Sequence, residues 1–569
     1  METPVFKLLI ENRYNKWNLL QEGTFEEDLS VNNRIFPYEM KLFSDDMIKI
    51  DINGKVVLVH STTRQLKSIP GVLILQKNKT FGKYKNRFLY KCVPDDVRLP
   101  IFFIPYQIDM KNFSKSFENK YVTFDFENWD QNHPYGKLNH VIGPVDLLSN
   151  FYEYQLFCKS LNASIQAFSR TTAKALKEKS EEEYIQLTLD TYPLIQNRMN
   201  THKIFSIDPP NSGDLDDAFG LEQKGENHFI LSIYISNVLI WMETLKLWHS
   251  FSNRVATIYL PDRKRPMLPT CLSDCLCSLH EGRIRFAFTC DIEIVENKIT
   301  RVEFLNTAIK VNKNYIYESN DLKKNKDYNK LFTLTQTLCK NYKYYHHIKT
   351  SHDVVAYLMI MMNYFSSKEL IKNKNGIYRS VCFNKDKNLM KDVPDEIEHF
   401  MKGWFSNSSQ YSLFQTEMNH EFLQLENYVH MTSPIRRLVD LLNLIQIHKN
   451  MNLLNVSKEC LEFLDNWQCK LDYINVTMRA IRKVQNSCYL LDLCCKSPDL
   501  LDKHYEGYLF DKINRNDGLF QYMVHIPSLS MVSKITSRID KLNYSKVNFQ
   551  MFIFKQEDRF KKKIRLKII

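Results

Sequence analysis

The sequence predicts a multidomain α+β protein, with β-rich segments at both ends flanking a long mixed α/β segment. Three observations carry this. The chain has 569 residues, too many for a single core. Short runs rich in β-branched and aromatic residues cluster between Lys55 and Lys137 and return from Tyr505 onward. Between these ends, apolar residues recur mostly at helical spacing, from Asp353 to Asn373 and from Ser433 to Lys496.

The elements follow in order. "KVVLVH", "GVLILQ", "RFLYKCV" and "IFFIPY" read as strands between Lys55 and Gln107. Within them, "KNKTFGKYKNRFLYK" interleaves Lys and Arg with Phe81, Tyr84, Phe88 and Tyr90. On alternating strands this places basic and aromatic side chains on one face, where Lys83 and Tyr84 are candidate contacts for a single nucleic-acid strand. The alternative is an ordinary amphipathic edge sheet. A second β-rich block starts at "YVTFDFENW" and turns at "PYGK" (Pro134 to Lys137). Asp146 to about Lys179 reads as a polar connecting helix. Ile204 to about Lys310 mixes strands and loops. "AYLMIMMNYF" (Ala356 to Phe365) is about half the roughly 20 apolar residues of a membrane span and predicts a buried helix.

The net charge is +12. Such a surplus attracts polyanions, although it also serves ordinary solubility. The 13 cysteines are irregularly spaced and Met1 to Asn33 contains no apolar leader core, so free thiols and a cytoplasmic location are expected.

Against that positive balance, "IDPPNSGDLDDAFG" (Ile207 to Gly220) gathers Asp208, Asp214, Asp216 and Asp217. The preceding "HKIFSI" is strand-like, and Pro209, Pro210 and Gly213 break regular structure, so the carboxylates line a loop leaving a strand. A loop of this kind relieves its own repulsion by folding around a hard divalent cation, Mg²⁺ or Mn²⁺. Taken alone the pattern also fits a solvated acidic loop. A Ca²⁺ loop fits poorly, since no bidentate Glu stands at the twelfth position.

The second constellation is "YVHMTSPIRRLVDLL" (Tyr428 to Leu442). Thr432, Ser433 and Pro434 predict a helix start, with Arg436 and Arg437 in the first turn. The helix dipole disfavours cations there, which suggests that they hold a phosphate. The alternative is a surface Arg pair.

Together the two stretches resemble the ribonuclease II (RNB) family of 3′→5′ exoribonucleases. The aspartate spacing of six, two and one residues matches, as do "TSPIR", the basic residue after it and Asp440. "IYLPDRKRPMLPTCLSDCLCSL" (Ile258 to Leu279), "IKVNKNYIY" ending at Tyr317, and "YINVTMRAIRKVQ" fall in the family's order. The resemblance implies N-terminal cold-shock/OB-like β-barrels, a central mixed α/β RNB catalytic domain and a C-terminal OB-fold β-barrel. The divisions expected are an N-terminal region with a first cold-shock-like domain over 1–115, and a second such domain with its connecting helix over 116–190. The catalytic domain then spans 191–500 and the RNA-binding OB fold 501–569. It also implies hydrolysis of single-stranded RNA to nucleoside 5′-monophosphates by a monomer using Mg²⁺ or Mn²⁺. Asp208, Asp214 and Asp217 would be metal ligands. Asp216, Arg436 and Tyr317 would be catalytic, and Tyr259 and Arg437 would touch RNA. Cys271, Cys275, Cys277 and His280 look like a zinc cluster, but the "LCSL" match places Cys277 on a segment without a zinc role.

The departures are specific. Ala356 and Tyr357 stand where the family carries paired glutamates, and Asp353 is the nearest carboxylate. Asn237 replaces the Asp of "HIADV", and Leu444 and Ile445 replace "HR". The stretch from Tyr317 to Ala356 is short and lacks a recognisable second stacking aromatic. These changes leave an alternative: an RNA-binding relative with weak catalysis, acting as a scaffold or subunit.

Overall fold

The computed structural model describes the chain apart from residues 1–3, 12, 24–31, 33–34, 52–53, 109–116, 343–346, 382–392, 406–409, 416–419 and 557–559. The described chain forms two compact units. One comprises Met1–Asn162, Leu260–Asp262 and Lys483–Ile569, and the other comprises Ala163–Tyr259 and Arg263–Arg482.

The first unit begins with β1 (Val5–Glu11), β2 (Lys16–Gln21), β3 (Met47–Ile50) and β4 (Val56–His60), ordered β2-β1-β3-β4. Alternation in β1 turns Phe6, Leu8 and Ile10 into one small core. Next come β5 (Ile69–Leu73), β6 (Lys83–Tyr84), β7 (Arg87–Pro94), β8 (Phe102–Tyr106), β9 (Lys120–Asn128) and β10 (Tyr135–Pro144). Their order is β5-β9-β10-β8-β7-β6, and β5 also pairs with β7. Five strands therefore close on themselves, with β10 and β8 parallel, which is the connectivity of an OB barrel.

This closure corrects the division expected at 115/116. β5 needs β9 on one side and β7 on the other, so both β-rich blocks belong to one barrel. Its interior is filled by Phe43, Leu73, Phe102, Val122, Phe124 and Trp129. Tyr90, expected on the basic aromatic face, is also interior, with its hydroxyl donating to Asn78 Oδ1 at 2.8 Å. Only the start of β7 projects past the barrel wall, so Phe88 is exposed while Tyr90 is not.

In the second unit, the central sheet uses β11 (Gln196–Asn197), β12 (Ile204–Asp208), β13 (Asp217–Gly225) and β14 (His228–Ser236). A short hairpin, β15 (Ile258–Tyr259) with β16 (Lys264–Arg265), precedes β17 (Ile284–Val295), β18 (Lys298–Lys310) and β19 (Lys313–Ile316). The seven-stranded order is β11-β18-β17-β14-β13-β12-β19. β12 is internal, which is why "IFSI" is wholly buried. β20 (Ile377–Ser380) and β21 (Gln410–Leu413) form a separate pair.

Three helices of this unit matter for the site: α1 (Val238–Thr244), α2 (Ser351–Lys372) and α3 (Leu438–Met451). As expected, the apolar run from Ala356 lies in a mostly buried helix, α2, with Val354, Leu358, Met361 and Met362 inside. No described helix is long and apolar enough to cross a membrane.

The C-terminal part of the first unit holds β22 (His504–Asn514), β23 (Phe520–Ile526), β24 (Met531–Ser537), β25 (Lys546–Gln556) and β26 (Lys561–Ile568). Their order, β24-β23-β22-β25-β26, follows an OB connectivity, with β24 lying beside β26. Leu509, Tyr522, Val524, Phe549 and Met551 form its core.

Candidate active site

The aspartate loop starts and ends in the sheet. Asp208 is the last residue of β12 and Asp217 the first of β13. Distant segments shape the turn between them. Leu215 N–H donates to Ser278 Oγ at 2.9 Å, and Leu279 N–H donates to the Leu215 carbonyl at 3.0 Å. The "LCSL" segment is thus a clamp on the loop. Its π-helical turn, Cys271–Leu276, brings Asp274 to the loop's edge. Among the described residues no three His, Cys, Asp or Glu side chains converge as a metal-binding group, and this applies both to Cys271, Cys275, Cys277 and His280 and to the expected set of Asp208, Asp214 and Asp217. The twelve described cysteines are all free.

The four carboxylates have different surroundings. Asp216 is buried; Ile435 N–H donates to its Oδ1 at 3.1 Å and Arg436 Nε to its Oδ2 at 2.9 Å. Burial nevertheless outweighs these partners and pushes the Asp216 carboxyl up to about 7. Asp208 accepts from Ser206 Oγ at 2.6 Å. Asp217 is held inside with its Oδ2 buried and without a hydrogen-bond partner among the described residues. Burial first, and then the charge of Asp214 on Asp208 and the charges of Asp208 and Asp216 on Asp217, drives both carboxyls upward. A buried carboxylate with an orphaned oxygen, beside a second raised carboxylate, is short of positive charge. Hard-oxygen donors of this type suit a divalent cation.

Asp214 differs. Lys264 Nζ lies 3.1 Å from its Oδ1, and Tyr259 Oη donates to its Oδ2. Lys264 also reaches Asp274 Oδ1 at 2.9 Å, and these two acids keep its ammonium charged against the opposing effect of burial.

Tyr317 is placed by the parallel pairing of β12 with β19, which sets Asp208 opposite Ile316. Its own N–H donates to the Asp208 carbonyl at 3.2 Å. The Tyr317 ring stacks on His352, with centroids 3.7 Å apart and planes 9° apart. His352 escapes sequence reasoning because it lies in the shortened stretch, where nothing local marks an imidazole as a stacking ring. Glu318 anchors this corner by accepting from Ser351 N–H at 2.6 Å, at the start of α2.

The "TSPIRR" segment corrects the expected helix start. α3 begins at Leu438, with Arg437 extended before it. The reason is non-local. Residues 436–438 pair with 255–257: Thr257 N–H donates to the Arg436 carbonyl, and Leu438 N–H donates to the Val255 carbonyl. This pairing delivers Tyr259 to the neighbourhood of Arg436. Arg437, expected to touch RNA, instead binds Asp440 Oδ1 at 2.7 Å, and Asp440 is fully buried. Asp440 also accepts from Ser433 N–H at 2.8 Å. Arg437 is therefore part of the framework, because a buried carboxylate needs its charge.

The departures acquire physical meanings. Asn237 caps α1 by accepting from Ile240 N–H, and its Nδ2 donates to Asn306 Oδ1 at 2.8 Å and to His448 Nε2 at 3.2 Å. Leu444 and Ile445 are fully buried on α3. Tyr357 is fully buried, with its hydroxyl on the Tyr342 carbonyl, whereas Ala356 lies half-buried one turn beyond His352. Asp353 closes a capping box with Thr350 and is thereby committed to the helix start.

Lys83 and Tyr84 lie in the first unit, on β6. Tyr84 and Tyr135 meet edge to face at 5.1 Å, and Phe81 stacks on Phe103 at 4.9 Å. Tyr84, Phe103, Asn128, His133 and Tyr135 border a groove of about 440 Å³, and Lys83 Nζ sits 4.9 Å over Phe88.

The RNB domain model matches residues 196–351 and 321–452, two pieces that overlap in the shortened stretch. Residues 196–452 thus carry an RNB domain, the domain of the ribonuclease II family. Ribonuclease R of Ureaplasma parvum is 36% identical over 102 residues, which cover 18% of this chain and 14% of that protein. The curated match therefore spans a small part of the relative's length. The fold likeness is far wider. RNase R of Mycoplasma genitalium superposes with a TM-score of 0.70 at 16% identity, over 99% of this chain and 100% of that one. Its complex with ribose-methylated single-stranded RNA gives 0.69 at 15%, with the same coverage. Yeast Ssd1, described as a pseudonuclease, gives 0.60 at 13% identity, over 96% of this chain and 80% of that one.

Proposed function

We propose that this RNB protein is a metal-dependent 3′→5′ exoribonuclease that hydrolyses single-stranded RNA to nucleoside 5′-monophosphates. The observation that carries the reading is the Asp208–Asp217 pair, with its orphaned Asp217 Oδ2, set beside the Arg436–Asp216 ion pair. Asp208 and Asp217 would hold the cation; Mg²⁺ is the expected ion and Mn²⁺ a substitute. When bound, it supplies Lewis acidity toward the phosphate and lowers the pKa of an attacking water.

The remaining roles belong to the chain. The Arg436 side chain is 41% exposed although its Nε is fixed on Asp216, so the guanidinium is aimed and still reachable by a phosphate. Asp216 keeps that guanidinium in place and is the residue whose loss should stop catalysis. Tyr259 is 41% exposed at the edge of the aspartate loop and offers a face to the terminal base. Tyr317 positions the last nucleotide next to Asp208. The groove beside Tyr84 and the Lys83 ammonium would bind single-stranded RNA by stacking and charge.

The relatives support RNA as the substrate: one RNase R neighbour is described with single-stranded RNA bound. A second reading, an RNA-binding protein without turnover, draws on Ala356 in place of a family glutamate and on the pseudonuclease among the neighbours. Incubating 5′-labelled single-stranded RNA with the protein and Mg²⁺ separates the two. A shortening ladder with released mononucleotides is expected, and tight binding with intact RNA would favour the second reading.

A further inference from the structure

The grip on Asp214 is unusual for a residue of a metal-binding quartet. Tyr259 and Lys264 are direct cross-strand partners on the β15–β16 hairpin. One side chain from each strand closes on the same carboxylate, Lys264 Nζ on Oδ1 and Tyr259 Oη on Oδ2. Both oxygens of Asp214 are thus engaged, and its side chain is only 7% exposed. Asp274 holds the ammonium from the far side at 2.9 Å, and Ser273 Oγ steadies Asp274 at 2.5 Å. Gly213 leaves the space this needs: a Cβ there would lie 3.3 Å from Lys264 Nζ and 3.2 Å from Asp274 Oδ2.

An ammonium is a compact cation with three donors, able to satisfy two carboxylates at once. A divalent ion at Asp214 would have to displace it, and would then sit against the same positive charge while Asp274 retains it. We propose that Lys264 is a tethered cation that takes the place of a second metal ion at Asp214, confining metal binding to one ion on Asp208 and Asp217. This rests on the metal-dependent reading above and extends it by fixing the ion count. Lys264 acts through Asp214 and Tyr259 and is a positioning residue.

The test counts Mn²⁺ bound to the full chain without RNA, by electron paramagnetic resonance of the free ion. The wild type should bind one ion. Asp217→Asn should lose it, and Asp214→Asn should leave the count at one. Lys264→Ala frees Asp214 and Asp274 and should raise the count to two, while Lys264→Arg, which keeps a cation, should hold it at one. Circular dichroism establishes that each variant is folded. A wild type that binds two ions, with one lost in Asp214→Asn, overturns the proposal and leaves the metal-dependent reading standing. A folded Lys264→Ala that still binds one ion also overturns it. A wild type that binds no ion sinks the metal-dependent reading itself, and this proposal with it.

Discussion

Acidification should destabilise the second unit through His448, and the size of the effect follows from its surroundings. The ring is fully buried on α3. Its Nδ1 lies 2.7 Å from the Leu444 carbonyl and so carries the proton. Nε2 of the neutral ring then accepts from Asn237 Nδ2 at 3.2 Å, with Asn306 Oδ1, which offers no proton, 2.8 Å away on its other side. Burial lowers the imidazole to about 4 from its ordinary 6.5, against the opposing pull of the Leu444 carbonyl. Between these two values the unfolded chain binds a proton that the folded chain refuses. The stabilisation is therefore complete above pH 6.5 and is lost as the pH falls toward 4. At pH 5 the loss is about 2 kcal/mol, from 1.36 kcal/mol per pH unit over 1.5 units. His448→Gln removes the titration. Urea unfolding followed by tryptophan fluorescence at pH 7.5 and pH 5 should show the wild type losing about 2 kcal/mol more than the variant. The difference between the two proteins cancels the other titrating groups. Asn237→Asp would place a carboxylate beside Nε2, raise the imidazole and shrink the wild-type loss. Equal pH responses in wild type and His448→Gln would refute the reasoning.

Three further outcomes are expected. Asp216→Asn removes the charge that fixes Arg436, so single-turnover RNA decay should disappear while filter-binding affinity stays close to wild type; retention of most of the rate would show that the loop is not the active centre. Ala356→Glu should stay folded and speed single-turnover decay about tenfold, the lower end of effects from groups supporting a metal site, whereas Tyr357→Glu should fail in thermal melts, since losing a fully buried aromatic costs about 3–5 kcal/mol before any charge is buried. Lys83→Ala should flatten the salt dependence of RNA binding by about 0.7 in slope, while Tyr84→Ala should weaken binding by about 1–3 kcal/mol at unchanged slope; a salt titration of both variants checks the contrast.

What was legible in the sequence was mostly local. The strand-like "HKIFSI" and the breakers Pro209, Pro210 and Gly213 name a strand followed by a loop that carries the aspartates, and the structure has both in that order, with Asp217 opening a further strand that no local signal announces. The buried helix at Ala356 follows from its apolar run. The errors share a cause: they depend on partners far away in sequence. Thr432, Ser433 and Pro434 look like a helix cap, yet pairing with Val255 and Thr257 holds Arg437 extended. The boundary at 115/116 ignores that β5 needs strands from both sides of it. Arg437 reads as an RNA contact because nothing in the sequence says that Asp440 is buried and takes its charge. Lys264 carried no signal, since its two acids come from the aspartate loop and from a π-helical turn.

The bond from Ile435 N–H to Asp216 Oδ1 joins residues 219 apart. Contacts of such long range close late in folding, since a large loop must first be ordered. During synthesis, a nascent chain that has passed the aspartates has no Arg436 to set against Asp216 until more than two hundred further residues have been added. Local opening that releases the 435–436 segment would likewise dismantle the site before the sheet itself melts. Under the proposed function, a degradative activity assembled in this way would be an all-or-none property of the finished unit, and truncated or partly unfolded copies would leave RNA intact.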